Sequence, residues 1–192
     1  MNIINYIQQI QIHLIGTHAL IFDWFREEKE IKNYKPVDGG WTIAEILEHV
    51  SLTSHYLLIL IDKGADKAIR NVHNLSLEDE IENFDWDLER FGRIGILKSF
   101  PWTRPEHMEP TGEKTEYEIR SILVNQLRKC LNHLEDLTDG TGLLYKTTMT
   151  VNDLGKINVY EYIYFLSKHA ERHIYQMKEN KKECLEKVKA DH

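Results

Sequence analysis

The stretch Asn158-Val159-Tyr160-Glu161-Tyr162-Ile163-Tyr164-Phe165-Leu166-Ser167-Lys168-His169-Ala170-Glu171-Arg172-His173-Ile174-Tyr175-Gln176-Met177 decides how this chain folds. Val159, Tyr162, Ile163, Leu166, Ala170 and Met177 recur with the 3.6-residue period and draw one apolar stripe along a helix. Ile157 and Tyr162 stand at the staple positions of its start, and the helix runs past Met177 into a charged tail. His169 and His173 lie on the apolar arc, four residues apart, which sets their Cβ atoms about 5–6 Å from each other. Two imidazoles held side by side against a core need a physical reason, and a shared metal ion is one.

Three further helical patterns precede this one. Ile3, Ile7, Ile10, Leu14, Thr17, Ile21 and Trp24 form a stripe over roughly residues 2–30, closed by the loop Asn33–Gly40. Thr42-Ile43-Ala44-Glu45 is a capping box with Trp41 and Ile46 at the staple positions, and Ile43, Leu47, Val50, Ser54, Leu57 and Ile61 follow to near Gly64. Leu52 and Ile59 lie off that stripe, so this helix is expected to be covered on a second side, by a partner subunit for example. Thr115-Glu116-Tyr117-Glu118 is a second capping box and opens a helix ending near Gly140. Between residues 65 and 113 a short amphipathic helix is predicted from Ser76 to about Phe91, followed by a stretch broken by glycines and prolines. A connection this long covers something or does something. The prediction is a single all-α domain over residues 1–192, a four-helix bundle with a long, partly helical crossover between the second and third helices.

Composition bounds the function. The chain has 192 residues and a formal charge of −7, with no Lys/Arg run outside the mixed tail. That argues against nucleic acid, whose binding depends on clustered basic side chains. No apolar run reaches the 18 or more residues of a membrane span, and no leader pattern is evident at the first residues. The two cysteines, Cys130 and Cys184, fit no disulfide framework or finger spacing. A soluble, cytoplasmic protein is expected.

With ten histidines in the chain, about 0.5 four-spaced pairs arise by chance, so the motif alone is weak. Its position strengthens it, because an unpaired polar atom on a core face is costly. Neutral imidazole is a common metal ligand, and three histidines with an open position make a catalytic-type sphere. The other reading is a pair of core histidines satisfied by hydrogen bonds, with Tyr162 or Tyr175 in the network. Spacing leaves His49, His133 and His13 open as the third ligand, while His18, His55, His73, His107 and His192 read as surface or loop residues.

The segment Gly40-Trp41-Thr42-Ile43-Ala44-Glu45-Ile46-Leu47-Glu48-His49-Val50 resembles the start of the second helix in the DinB-like superfamily, which includes the YfiT-like metal-dependent hydrolases. The HxxxH stretch and the Pro110-Thr111-Gly112 turn are similar to other parts of that family. The resemblance implies a four-helix bundle in which His49, His169 and His173 hold one divalent ion, zinc or nickel. It also implies a small-molecule substrate, with a low-molecular-weight thiol among the candidates, and a homodimer. Hydrolysis and thiol transfer both fit such a site, with a water or a thiol delivered to the ion as the reactive group; a metal-binding, stress-related protein without activity is the alternative. The three nitrogens are expected to converge within about 4 Å. No general base stands out: Glu45 serves its cap, and Glu48 and Glu171 point about 100° or more away from the ligands. Tyr162, Thr53 and Gln176 are candidates for holding the imidazoles, and Cys130 reads as a small core residue.

Overall fold

The computed structural model describes residues 2–102 and 105–190. His192 lies outside them. Four long helices carry the fold: α1 (Ile3–Trp24), α3 (Ile43–Asn71), α5 (Glu116–Asp136) and α6 (Val159–Ala190). Two short ones, α2 (Lys29–Lys32) and α4 (Leu77–Glu82), lie in the connections, and β1 (Lys146–Met149) pairs antiparallel with β2 (Gly155–Asn158) between α5 and α6. The all-α architecture and its long crossover are those predicted.

The helix starts follow the local chemistry. Thr42 accepts from the Glu45 amide at 3.1 Å while Glu45 accepts from the Thr42 amide at 2.7 Å, and Thr115 with Glu118 repeats the arrangement. Asn158 and Glu161 do the same for α6. Each exchange satisfies backbone donors that a helix start leaves without partners. Glu161 is buried and also pairs with Arg90, tying the crossover to the start of α6.

The connections depart from expectation. α1 stops at Trp24, where Phe25, Arg26 and Glu27 turn back onto Phe22, Asp23 and Trp24 through i→i−3 hydrogen bonds. α3 runs past Gly64 to Asn71 because buried Ala65 and Ala68 extend its stripe. The predicted Ser76–Phe91 helix ends at Glu82; Asp85 and Asp87 then accept from the backbone amides two residues on, which competes with helix formation. Phe84 and Trp86 pack edge-on to Tyr6, and a 3-10 turn over Glu89–Gly95 buries Phe91 and Ile94. The hairpin is an addition to the predicted layout. Its turn holds Asn152 and Asp153 at positive φ, which short polar side chains tolerate.

The core has two parts. One lies toward the start of α6 and gathers Tyr6, Leu57, Phe91, Tyr160, Ile163 and Leu166; the other, farther along, gathers Ile21, Ile46, Leu47, Leu123, Ala170 and Met177. On α6 His169 stands where the first cluster, ending at Leu166, gives way to the second, starting at Ala170, while His49 on α3 lies within the second, between Leu47 and Val50. Off the α3 stripe, Leu52 is half-buried and Ile59 stays 37% exposed.

Two outcomes follow. A Cβ at Gly142 would meet the Tyr160 ring at 2.6 Å, whereas one at Gly92 meets nothing within 4 Å. Gly142→Ala should lose roughly 1–3 kcal/mol in chemical denaturation, with Gly92→Ala less affected; equal losses would remove the packing explanation. Contrary to the surface assignment, His18 is 1% exposed, its Nδ1–H donating to the Leu14 carbonyl. Burial holds its pKa below the ordinary value. Its contribution to stability is therefore complete above the unfolded value of about 6.5 and lost as pH falls through the folded value. Replacing it with leucine should flatten the acid side of the stability–pH curve, and an unchanged slope would contradict this.

Candidate metal centre

Glu48 and His49 are neighbours on α3 with opposite tasks. His49 faces α6, while Glu48, 1% exposed, faces the last part of the crossover. The Glu48 carboxylate accepts from the Gly112 amide at 2.8 Å and the Thr111 hydroxyl at 3.1 Å, with the Lys114 ammonium at 3.8 Å. Gly112 takes φ +73°, the left-handed conformation that glycine adopts without a Cβ penalty. This anchor holds the Glu106–Met108 turn against α3. The Met108 carbonyl there meets His49 Nδ1 at 2.7 Å. A carbonyl only accepts, so Nδ1 carries the proton and the lone pair of His49 sits on Nε2.

His173 is arranged in the same way. Its Nδ1 lies 2.9 Å from the Gln176 amide oxygen, which leaves Nε2 with the lone pair. His169 Nε2 is 3.1 Å from His173 Nε2. The His49 ring centroid is 5.3 Å from that of His169 and 4.8 Å from that of His173. One nitrogen from each of the three rings lies within a 4.8 Å envelope, and all three residues are buried. Burial holds the His169 pKa well below the ordinary histidine value, with the two neighbouring imidazoles acting in the same direction.

The donor set fits a divalent cation. At Zn–N bonds of 2.0–2.1 Å, neighbouring ligand atoms of a tetrahedral site lie about 3.3 Å apart, close to the α6 pair. The envelope is wider than the expected ~4 Å, so His49 would have the larger adjustment to make around an ion. The other candidates for a third ligand lie elsewhere. His133 pairs with Asp62 at 2.7 Å, and His13 sits 3.5 Å from Glu171 beside the Tyr164 ring.

Of the expected supporting residues, Gln176 holds His173, and the Thr53 hydroxyl stands 3.5 Å from His49 Nε2. Tyr162 instead bonds Thr147, and Tyr175 is 46% exposed. Glu45 is occupied in its cap, and Glu171 pairs with Lys168. Cys130 is fully buried and its thiol is pushed up to about 12 by desolvation. The site opens into a cavity of about 630 Å³. Trp41 and Trp102 flank the histidines, with ring centroids 4.6 Å from His49 and 5.6 Å from His169.

Sequence reasoning missed three parts of the site. The Met108 carbonyl is a backbone group brought in from 59 residues away, and no local signal marks it. Glu48 was read only as pointing away, which is correct but leaves out its anchoring of Thr111–Gly112. Arg172 lines the cavity three residues after His169, and helical spacing placed it on the ligand face.

The His49 Nδ1–H should appear in 15N NMR as a protected ring proton. Glu48→Gln weakens the anchor by about 1–2 kcal/mol, so that proton should exchange about tenfold faster; equal protection in both proteins would mean that Glu48 does not position the ring.

Comparison with curated proteins and with solved structures returns no match. A family model for the DinB superfamily matches residues 28–177, which include all three histidines, both threonine capping boxes and the Pro110–Gly112 turn. That match spans most of the chain and agrees with the helical fold, so the chain belongs to the DinB superfamily.

Proposed function

We propose that this protein is a single-metal enzyme in which His49, His169 and His173 hold one divalent cation, zinc or nickel, and that it carries out hydrolysis or low-molecular-weight-thiol transfer on a small molecule. The observation that carries this reading is the convergence of three buried imidazoles beside a cavity of about 630 Å³. A cavity of this size is in the range that takes a small organic ligand. A structural zinc site is usually closed by a fourth protein ligand, and the group able to hold an ion among the described residues contains three histidines only.

When bound to three neutral imidazoles, a divalent cation keeps its full charge and polarises a carbonyl or activates a thiol. The chain's own residues prepare the place. The Met108 carbonyl and the Gln176 amide select the tautomers of His49 and His173, and burial keeps His169 neutral. Trp41 and Trp102 narrow access by water. Cys130, buried and with a raised pKa, is a poor nucleophile, so a reacting thiol would come from the small molecule. Glu48 and Glu171 are engaged elsewhere, which leaves proton transfer to the substrate or solvent.

Cys130 and Cys184 are both free and buried, which supports a reducing, cytoplasmic setting. No helix among the described residues is long and apolar enough to cross a membrane. Ile59, Ile69 and Val72 on the outer part of α3 and just beyond it are exposed and apolar, which supports a homodimer.

Purified protein should carry about one equivalent of zinc or nickel by elemental analysis, and His169→Ala should lose most of it; equal metal content in both would defeat the assignment. With cobalt as the ion, adding a small thiol should shift the visible spectrum, and an indifferent spectrum would point to a closed site without catalysis.

A further inference from the structure

The cavity follows one face of α6 from Phe165 to Glu183, about 27 Å of helix at ~1.5 Å per residue. Its character changes along the way. Near Phe165 the walls are Leu57, Met149 and Val151; the histidines and Arg172 follow, and Glu179 and Glu183 lie toward the far end.

The charges within it are unequally matched. Glu183 accepts from the Val37 amide at 2.8 Å and the Tyr34 hydroxyl at 2.9 Å. Asp38 accepts from the Gly40 amide at 2.9 Å, and Glu179 lies 3.9 Å from Lys98. Arg172 differs. Its guanidinium lies over the Trp102 and Phe100 rings, 5.0 and 5.9 Å from their centroids, and donates to the Ile96 carbonyl. No carboxylate of a described residue pairs with it. The two rings and the carbonyl fix its direction without neutralising it, and a half-buried cation in that position gains from an anion.

We infer that Arg172 anchors a carboxylate of the substrate, and that the ligand of this cavity is a small amphipathic carboxylate whose apolar part lies against Phe165, Leu57, Met149 and Val151. This rests on the proposed function, because His169 lies between Phe165 and Arg172 along α6 and shares the cavity with them. A guanidinium fork also matches phosphate. Here the cavity wall holds two cations, Arg172 and Lys98, and three carboxylates, Asp38, Glu179 and Glu183, with Lys98 beside Glu179. Arg172 is the cation left for a ligand, and a monoanion balances it where a doubly charged group adds to the surplus of negative charge.

The full-length protein, stripped of metal, is titrated with hexanoate, hexanamide and inorganic phosphate while tryptophan fluorescence is followed, since Trp102 touches Arg172. Hexanoate should saturate and bind at least tenfold more tightly than hexanamide or phosphate. In Arg172→Gln that preference should fall to within twofold, with the thermal transition unchanged. Equal binding of hexanoate and hexanamide by the unaltered protein, tighter binding of phosphate, or no saturable change with any probe would overturn the inference, whether or not the variant folds. A preference that persists in a folded Arg172→Gln would overturn it as well. The metal-free titration reads Arg172 without the ion, and elemental analysis of the loaded protein reads the histidines separately, so the two readings fail independently.

Discussion

Three buried imidazoles packed against one another, with His169 held neutral by burial, are the constraint on which the rest of this structure turns. A buried imidazolium would lack solvation, and two or three together would repel one another. Burial therefore keeps His169 neutral, and the lone pair of a neutral imidazole is left for an N–H donor or a cation. His169 shows this most clearly, enclosed by its two partners and by Trp102. The surrounding fold can be understood as the support that holds this arrangement: two long helices set the distance, and the crossover sets the tautomer.

That support begins in local sequence. The three Ncap exchanges, at Thr42, Thr115 and Asn158, fix where α3, α5 and α6 begin and hence the direction in which each residue points. Once α3 starts at Ile43, His49 must fall on the side facing α6, and Glu48, about 100° away around the helix, must face the crossover. Adjacent residues thereby serve one purpose from two sides. The carboxylate holds a distant loop, and that loop returns a carbonyl to the imidazole next door.

Much of this was legible in the chain before any coordinates. The caps, the α6 stripe and the 169/173 pair follow from spacing because they depend on neighbours within a few residues. What spacing could not decide depends on contacts between distant residues. His49, His133 and His13 were equivalent by periodicity; family resemblance chose among them, and the fold places only His49 beside the pair. His18 looked like a surface residue because nothing nearby in sequence announces its burial. The helix expected over Ser76–Phe91 was shortened by aspartates that bond their own backbone. The hairpin ahead of α6 carried a signal, β-branched residues before an Asn-Asp turn, that was overshadowed by the helical pattern around it. The path of the crossover, which delivers Met108 and Trp102, had no local signature at all.

The assigned site requires those three nitrogens to share one ion. Crystals grown from protein loaded with zinc or nickel, with diffraction recorded on both sides of the metal absorption edge, answer this directly. A single anomalous peak bonded to a nitrogen of His49, His169 and His173, at about 2.0–2.2 Å from each, is the expected result. A peak bonded elsewhere, or none at the three histidines in protein that still contains the metal, would contradict it.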